Sequence, residues 1–374
     1  MKLALLVLAL VTAPLHAFPT KPVRVVVAFT PGGVTDIIAR TLLPKLGERW
    51  GQPVVIENRP GAGGSLAAQA VARAAPDGHT LLVHSSGYAI NAALNPALPY
   101  DPHRDLVAVA PLASQAMVLV VAPAAGLKSA GELIAAAKAR PGALAYGSAG
   151  IGSGAHFAAE QFRIAAGIEV LHVPYKGGAE AINDTAAGRL SFTFNTITVA
   201  LPYVSDGRLL ALGVTGAGRS GLLPAVPTLA ETALPGFEYT FWNGLWAPAG
   251  TPAAIREQIA GELGEIVASA GLRERLARLG AEPMAMTPAA FAAFVKREIE
   301  NAQRVVKAGV RSYVRDGSAG RARRGAQRSC RGRSSRARRA SIRCGAGTPR
   351  APCRRPAERC RWSTDRRCRS ARRG

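Results

Sequence analysis

Four short segments place glycine, serine and other small residues where an apolar strand candidate gives way to a helix candidate. In FTPGGVTD, Phe29–Asp36, Pro31 sets one turn dihedral, Gly32 and Gly33 allow close backbone approach, and Thr35 or Asp36 can cap the helix that follows. In NRPGAGGSLAA, Asn58–Ala68, a second glycine turn opens a helix and reads as structural, because no acidic cluster and no Lys-Ser pair accompanies it. VHSSGYAIN, Val83–Asn91, puts the hydroxyls of Ser85 and Ser86 after a strand, where they can donate to a carboxylate or cap the next helix. YGSAGIGSGAHFAAE, Tyr146–Glu160, carries Gly150, Ser153 and His156 into another helix start. The chemistry these share is anion binding, since the free N–H groups and positive dipole end of a helix N-terminus favour negative charge.

Other chemistries find little support. No turn carries GK[ST], so none is a nucleotide P-loop. Gly150, Gly152 and Ala155 formally fit a dinucleotide pattern, but the acid that should close the following strand, Glu169, instead precedes VLHVPY. There is no GxSxG elbow, and His79, His84, His103, His156 and His172 lack a metal-binding spacing. The carboxylates are scattered along solvated helix faces, with no pair placed for hydrolysis. The expectation is no catalytic residue, no metal and no cofactor. An α/β enzyme using NAD, and an RNA-associated protein acting through a basic tail, are the alternatives.

Elements that position these turns alternate between short β-branched runs and amphipathic segments, which predicts an α/β fold with mostly parallel strands. Strands are expected at Val23–Phe29, Pro53–Glu57, Thr80–His84, Val107–Leu112, Met117–Ala122 and five later runs ending at Tyr239–Ala247. From Pro252 to Lys307 the pattern is helical, interrupted at Gly271, Gly280 and Pro283. Ten strands exceed one small open sheet, so two sheets in two lobes are expected, with crossovers near Ser114–Met117 and Leu234–Glu238. Two crossovers make a hinge, and the cleft between lobes becomes the ligand site.

The net charge of +23 suggests nucleic acid until it is located. Of 47 Lys and Arg, 22 lie from Arg311 onward, all Arg and accompanied by only three of the 24 acids, so this tail holds +19 of the total. Residues 1–310 are near neutral, and no nucleic-acid partner is expected for them. All five cysteines also fall in the tail, so the body has no disulfide or thiolate site. Residues 315–374 have only Ile342 and Trp362 as large apolar residues, too few for a core. Their Arg, Ala, Gly and Pro composition reads as a shifted reading frame or read-through. At the other end, MKLALLVLALVTAPLHA reads as a signal peptide, residues 1–17, cleaved after Ala17.

The body resembles the extracytoplasmic solute receptors of tripartite tricarboxylate transporters, the Bug family of periplasmic binding proteins. The resemblance is carried by FPTKPVRVVVAFTPGGVTDIIAR, GQPVVIENRPGAGG, APDGHTLLV, LPYDPHRDL, GSAGIGSGAHFAAE, HVPYKGGAEAINDTAAGRLSFTFN, LPAVPTLAET and FWNGLWAPAGTP, in the family's order from residue 18 to about 310. It implies a two-lobed Venus flytrap of type II-like α/β architecture: residues 18–115 and 236–310 form lobe one, residues 116–235 form lobe two, and residues 311–374 are an unmatched tail. It further implies a periplasmic monomer that binds a small mono- or dicarboxylate in the cleft and hands it to membrane permease subunits. The positions it assigns to the ligand are Phe29, Pro31, Gly32, Gly33, Asp36, Ser85, Ser86, Gly150, Ser153, His156 and Asn195, some acting through water. Trp242 in FWNGLW reads as a core aromatic. The chain departs from the family at Thr30, where Pro is frequent, and at Asn195, where Asp is common, which disfavours a ligand with an amino group.

Overall fold

The structure, a computed structural model, describes residues 18–307. The signal segment and the Arg-rich tail lie outside the described residues. The strands are β1 (Val23–Val27), β2 (Val54–Asn58), β3 (Thr80–Ser85), β4 (Leu106–Val121), β5 (Ala145–Ser148), β6 (Leu171–Pro174), β7 (Phe192–Thr196), β8 (Leu210–Val214), β9 (Thr240–Pro248) and β10 (Glu282–Pro283). The helices are α1 (Val34–Leu42), α2 (Pro44–Trp50), α3 (Ser65–Ala72), α4 (Gly87–Leu94), α5 (Ala130–Ala139), α6 (Gly154–Ala166), α7 (Gly178–Ala186), α8 (Ile197–Ser205), α9 (Leu229–Thr232), α10 (Ala253–Ala268), α11 (Ala270–Arg278) and α12 (Pro288–Lys307).

All ten strands join one hydrogen-bonded path, β2-β1-β3-β9-β4-β7-β5-β6, with β8 and β10 also on β4. The path divides into two groups that share only β4. Its first part, Leu106 to Ala116, pairs antiparallel with β9, and its last part, Met117 to Val121, pairs antiparallel with β7 and β8. The two strands expected at Val107–Leu112 and Met117–Ala122 are therefore one, because the β9 ladder holds residues 113–116 extended between them. The parallel expectation holds for β1 with β2 and β3 and for β5 with β6 and β7; the central β4 and β9 are antiparallel. The chain leaves the first group through β4 and returns to it between β8 and β9. The two groups of strands are thus joined through β4 and through the return to β9.

Two apolar clusters hold the sheet. One combines Val25 and Val27 of β1 with Ile38 and Leu42 of α1 and Phe241 and Leu245 of β9. Residues four apart on α1 lie above one another, so Val34, Ile38 and Leu42 form its buried stripe. The other lies on the opposite face of β9, where Trp242 and Trp246 pack on Phe291 of α12 and Tyr88 of α4. Trp242 is 1% exposed, and its indole N–H donates to Glu298 at 3.0 Å, so it is a core residue. Truncating a buried aromatic of this size to Ala costs about 3–5 kcal/mol. The C-terminal helical run breaks at Ser269 and around β10; Gly271 lies inside α11 with open space around it and interrupts nothing.

Candidate ligand-binding cleft

FTPGGVTD forms the turn from β1 into α1, and its shape is set by Asp36. That buried carboxylate accepts the Gly32 N–H at 3.0 Å, Arg40 Nε at 2.9 Å and Asn58 Nδ2 at 2.9 Å. Asn58 Nδ2 also donates to the Phe29 carbonyl at 3.0 Å, which straps the start of the turn to β2. Gly32 takes a left-handed φ of +75°, a conformation that favours glycine. Gly33 is the N-cap of α1 and supplies no capping side chain, so the Val34 and Thr35 N–H groups find no acceptor among the described residues.

The second glycine loop enters α6 with Ser153 as N-cap, its hydroxyl accepting from the His156 N–H at 3.2 Å. Here the Gly154 and Ala155 N–H groups are left without an acceptor among the described residues. Beneath the loop, His156 Nδ1 accepts the Gly152 N–H at 3.3 Å, and its ring lies 4.6 Å from that of His172. Ser148 Oγ accepts the Gly150 N–H at 3.1 Å.

Between the two turns lies a cavity of about 40 Å³. Four helices bring their N-terminal ends to it: α1 through Gly33, Val34 and Thr35, α6 through Ser153, Gly154 and Ala155, α7 through Gly178 and α8 through its N-cap Thr196. Phe29, Ser85, Met117, Ala149, Asn195 and Phe241 complete the wall. Among the described residues, no Asp, Glu, His, Lys or Arg contributes to it. Each helix N-terminus carries roughly half a positive charge, so the cavity is electropositive without a cationic side chain.

Of the eleven residues assigned from the sequence, Phe29, Gly33, Ser85, Ser153 and Asn195 line the cavity. The others stand behind or beside it. Pro31 and Gly32 are exposed on the outer side of the turn. Asp36 is spent on its three hydrogen bonds, and Gly150 and His156 shape the second loop. Ser86 turns away to bond the Tyr239 hydroxyl at 2.8 Å, beside a neighbouring cavity of about 440 Å³. Burial pushes the Tyr239 phenol well above its ordinary range, with the Ser86 hydrogen bond opposing, so the phenol stays protonated. Sequence reasoning missed Met117, Gly178, Thr196 and Phe241, which come from four separate elements. Val34, Gly154 and Ala155 sat inside the quoted motifs, and the signal for them was the uncapped N–H rather than the side chain.

The two lobes touch around this cavity. Asn195 Nδ2 donates to the Gly178 carbonyl at 3.0 Å within lobe two, while Thr30 of lobe one donates to Glu180 Oε2 at 3.4 Å across the cleft. The turn at Asn58–Ala68, expected to be structural, meets the second glycine loop: Gly63 lies against the Ile151 carbonyl with no room for a Cβ. Asn91, fully buried on α4, donates its amide to Gly63 at 2.9 Å, Gly87 at 2.9 Å and Gly152 at 3.3 Å.

Comparison with known proteins agrees with this geometry. Residues 38–310 match the model of the tripartite tricarboxylate transporter family receptor, TctC. Protein BugT of Bordetella pertussis is 37% identical over 301 residues, covering 79% of this chain and 92% of that protein. Among solved structures, Rpa4515 of R. palustris with adipate is 34% identical with a TM-score of 0.76, covering 78% of this chain and 98% of that one. The periplasmic binding protein BugD is 31% identical with a TM-score of 0.75, covering 79% of this chain and all of that one, 100%. The chain belongs to the tripartite tricarboxylate transporter receptors, a family of periplasmic solute-binding proteins.

Proposed function

We propose that the protein is an exported, non-enzymatic receptor that closes on one small mono- or dicarboxylate and releases it unchanged to membrane permease subunits. The observation that carries this is the convergence of four helix N-termini on a cavity with no ionised side chain among the described residues. The uncapped N–H groups of Val34 and Thr35 in lobe one and of Gly154 and Ala155 in lobe two grip the same carboxylate from opposite sides, with water completing the geometry. Rpa4515, of the same fold, is described with adipate, a small carboxylate. With no Asp, Glu, His, Lys or Arg in the wall among the described residues, its serine and threonine hydroxyls have no general base beside them there, which supports binding over catalysis.

The hinge is the middle of β4 together with the return to β9, so that residues 18–115 and 236–310 move against residues 116–235. Binding shifts the population toward the closed form, and the permease reads that form. Export uses residues 1–17 with cleavage after Ala17. Phe18 is already part of the fold, its ring 5.6 Å from that of Trp50 and its carbonyl accepting from Gln258 at 3.1 Å. An intact mass of the exported protein beginning at Phe18 checks this.

The test of the main reading is a thermal-shift panel of mono- and dicarboxylates, with NAD as the control. At least one carboxylate is expected to raise the Tm at millimolar concentration and NAD to leave it unchanged. Stabilisation by NAD, or by no carboxylate in the panel, overturns the reading.

A further inference from the structure

Thr196 stands at the junction of β7 and α8, opposite Met117 in the β4–β7 ladder, and forms part of the cavity wall. It is the N-cap of α8, where a threonine hydroxyl ordinarily accepts from an N–H two or three residues on. Here it does not. The residue is 1% exposed, and its hydroxyl has no partner among the described residues. Buried polar groups are as a rule hydrogen-bonded, and an unbonded hydroxyl on a residue of the cavity wall points to a species that bonds it there.

We infer that Thr196 reads a neutral oxygen substituent, a hydroxyl or a carbonyl, that the ligand carries next to its carboxylate. This rests on the carboxylate reading above. Phe29, Val34, Met117 and Phe241 are apolar, and among the polar side chains of the wall, Thr35, Ser85, Ser153, Asn195 and Thr196, it is Thr196 whose buried hydroxyl is left unbonded among the described residues. A hydroxyl group both donates and accepts, so it pairs with either a ligand hydroxyl or a ligand carbonyl. A saturated chain leaves it unbonded in the closed cleft. An ammonium adds positive charge where four helix N-termini already converge and meets no carboxylate: Asn195 stands there, its Oδ1 accepting the Thr196 N–H at 3.2 Å and its Nδ2 turned to Gly178. The preferred class is therefore 2-hydroxy and 2-oxo carboxylates, ahead of the unsubstituted acid, with the 2-amino acid last.

Titration calorimetry on the purified protein tests this with two matched sets: propanoate with its 2-hydroxy, 2-oxo and 2-amino forms, and butanedioate with the same three. In at least one set the 2-hydroxy or 2-oxo acid is expected to bind about tenfold or more tightly than the unsubstituted acid. Thr196→Val, of nearly the same shape, removes that advantage of the substituted acid over the unsubstituted one, while Thr196→Ser keeps it. An unsubstituted or 2-amino acid that binds as tightly overturns the inference, as does an advantage that survives Thr196→Val. Binding confined to acids outside both sets also overturns it and leaves the carboxylate reading intact, whereas no binding of any carboxylate removes that reading too. Should Thr196→Val fail to fold, the wild-type ranking decides.

Discussion

Asn91 of lobe one and Gly152 of lobe two are joined by a hydrogen bond, the buried Asn91 amide donating to the Gly152 carbonyl at 3.3 Å. The same amide holds Gly63 and Gly87, so one side chain ties two lobe-one segments to the loop that opens α6. If the lobes close on the ligand as proposed, this contact forms on closure, and Asn91 is expected to act as a latch whose loss is felt as lost affinity.

Asn91→Ala removes a donor from carbonyls that are buried on closure, a loss of roughly 1–3 kcal/mol. Ligand affinity is expected to fall about tenfold or more, because every 1.4 kcal/mol is a factor of about ten. Gly152→Ala drives a Cβ into the Asn91 amide and is expected to act the same way. Calorimetry on both variants checks this; undiminished affinity in both places the latch outside the binding equilibrium.

Gly33→Asp separates the site from the fold. Gly33 has an ordinary φ of −74°, and a Cβ there would lie 3.2 Å from the Thr30 carbonyl, which is tight but tolerable. Asp is a favoured N-cap, so its carboxylate takes the N–H groups that the ligand needs. The expected result is an unchanged or raised Tm with carboxylate binding abolished.

Asp36→Asn acts on the turn from behind. The neutral amide loses the ion pair with Arg40 and at least one of the three donors that now converge on the carboxylate. A destabilisation of about 2 kcal/mol is expected in denaturant titration, since a charged acceptor of buried donors is being removed. Affinity should fall with it, because the carboxylate that accepts the Gly32 N–H and positions Asn58 is lost.

His84 predicts the acid limit of the fold. Burial pushes its imidazole down to about 4, with the Ser85 backbone contact opposing. Its ring lies against Phe29, Tyr88 and Trp246, none of which offers a counter-charge. Between its ordinary value near 6.5 and about 4, the unfolded chain binds a proton that the folded chain refuses. Stability therefore falls as pH drops through that window, by roughly 3 kcal/mol. Denaturation midpoints at pH 7 and pH 4.5 measure the slope, which should be shallower in His84→Gln.

Much of this was legible in the chain itself. The turns at Phe29–Asp36 and Tyr146–Glu160 could be read as helix openings because Pro, Gly and an N-cap Ser are local signals whose geometry is settled within a few residues. The alternation of β-branched runs and amphipathic segments was enough for an α/β fold. The fusion of two expected strands into β4 was not legible, because residues 113–116 are held extended by a partner more than a hundred positions away in β9.

The cavity shows the same division. Local sequence determined which N–H groups are left uncapped, as at Gly33, where no side chain exists to accept them. Only the tertiary structure decided which side chains share the space in front of them. Asp36 and Thr196 show why: a carboxylate beside the motif is consumed by Gly32, Arg40 and Asn58, while a hydroxyl from a distant strand is left free at the cavity wall. Hydrogen-bond partners separated along the chain are chosen by packing, and no spacing in the sequence records that choice.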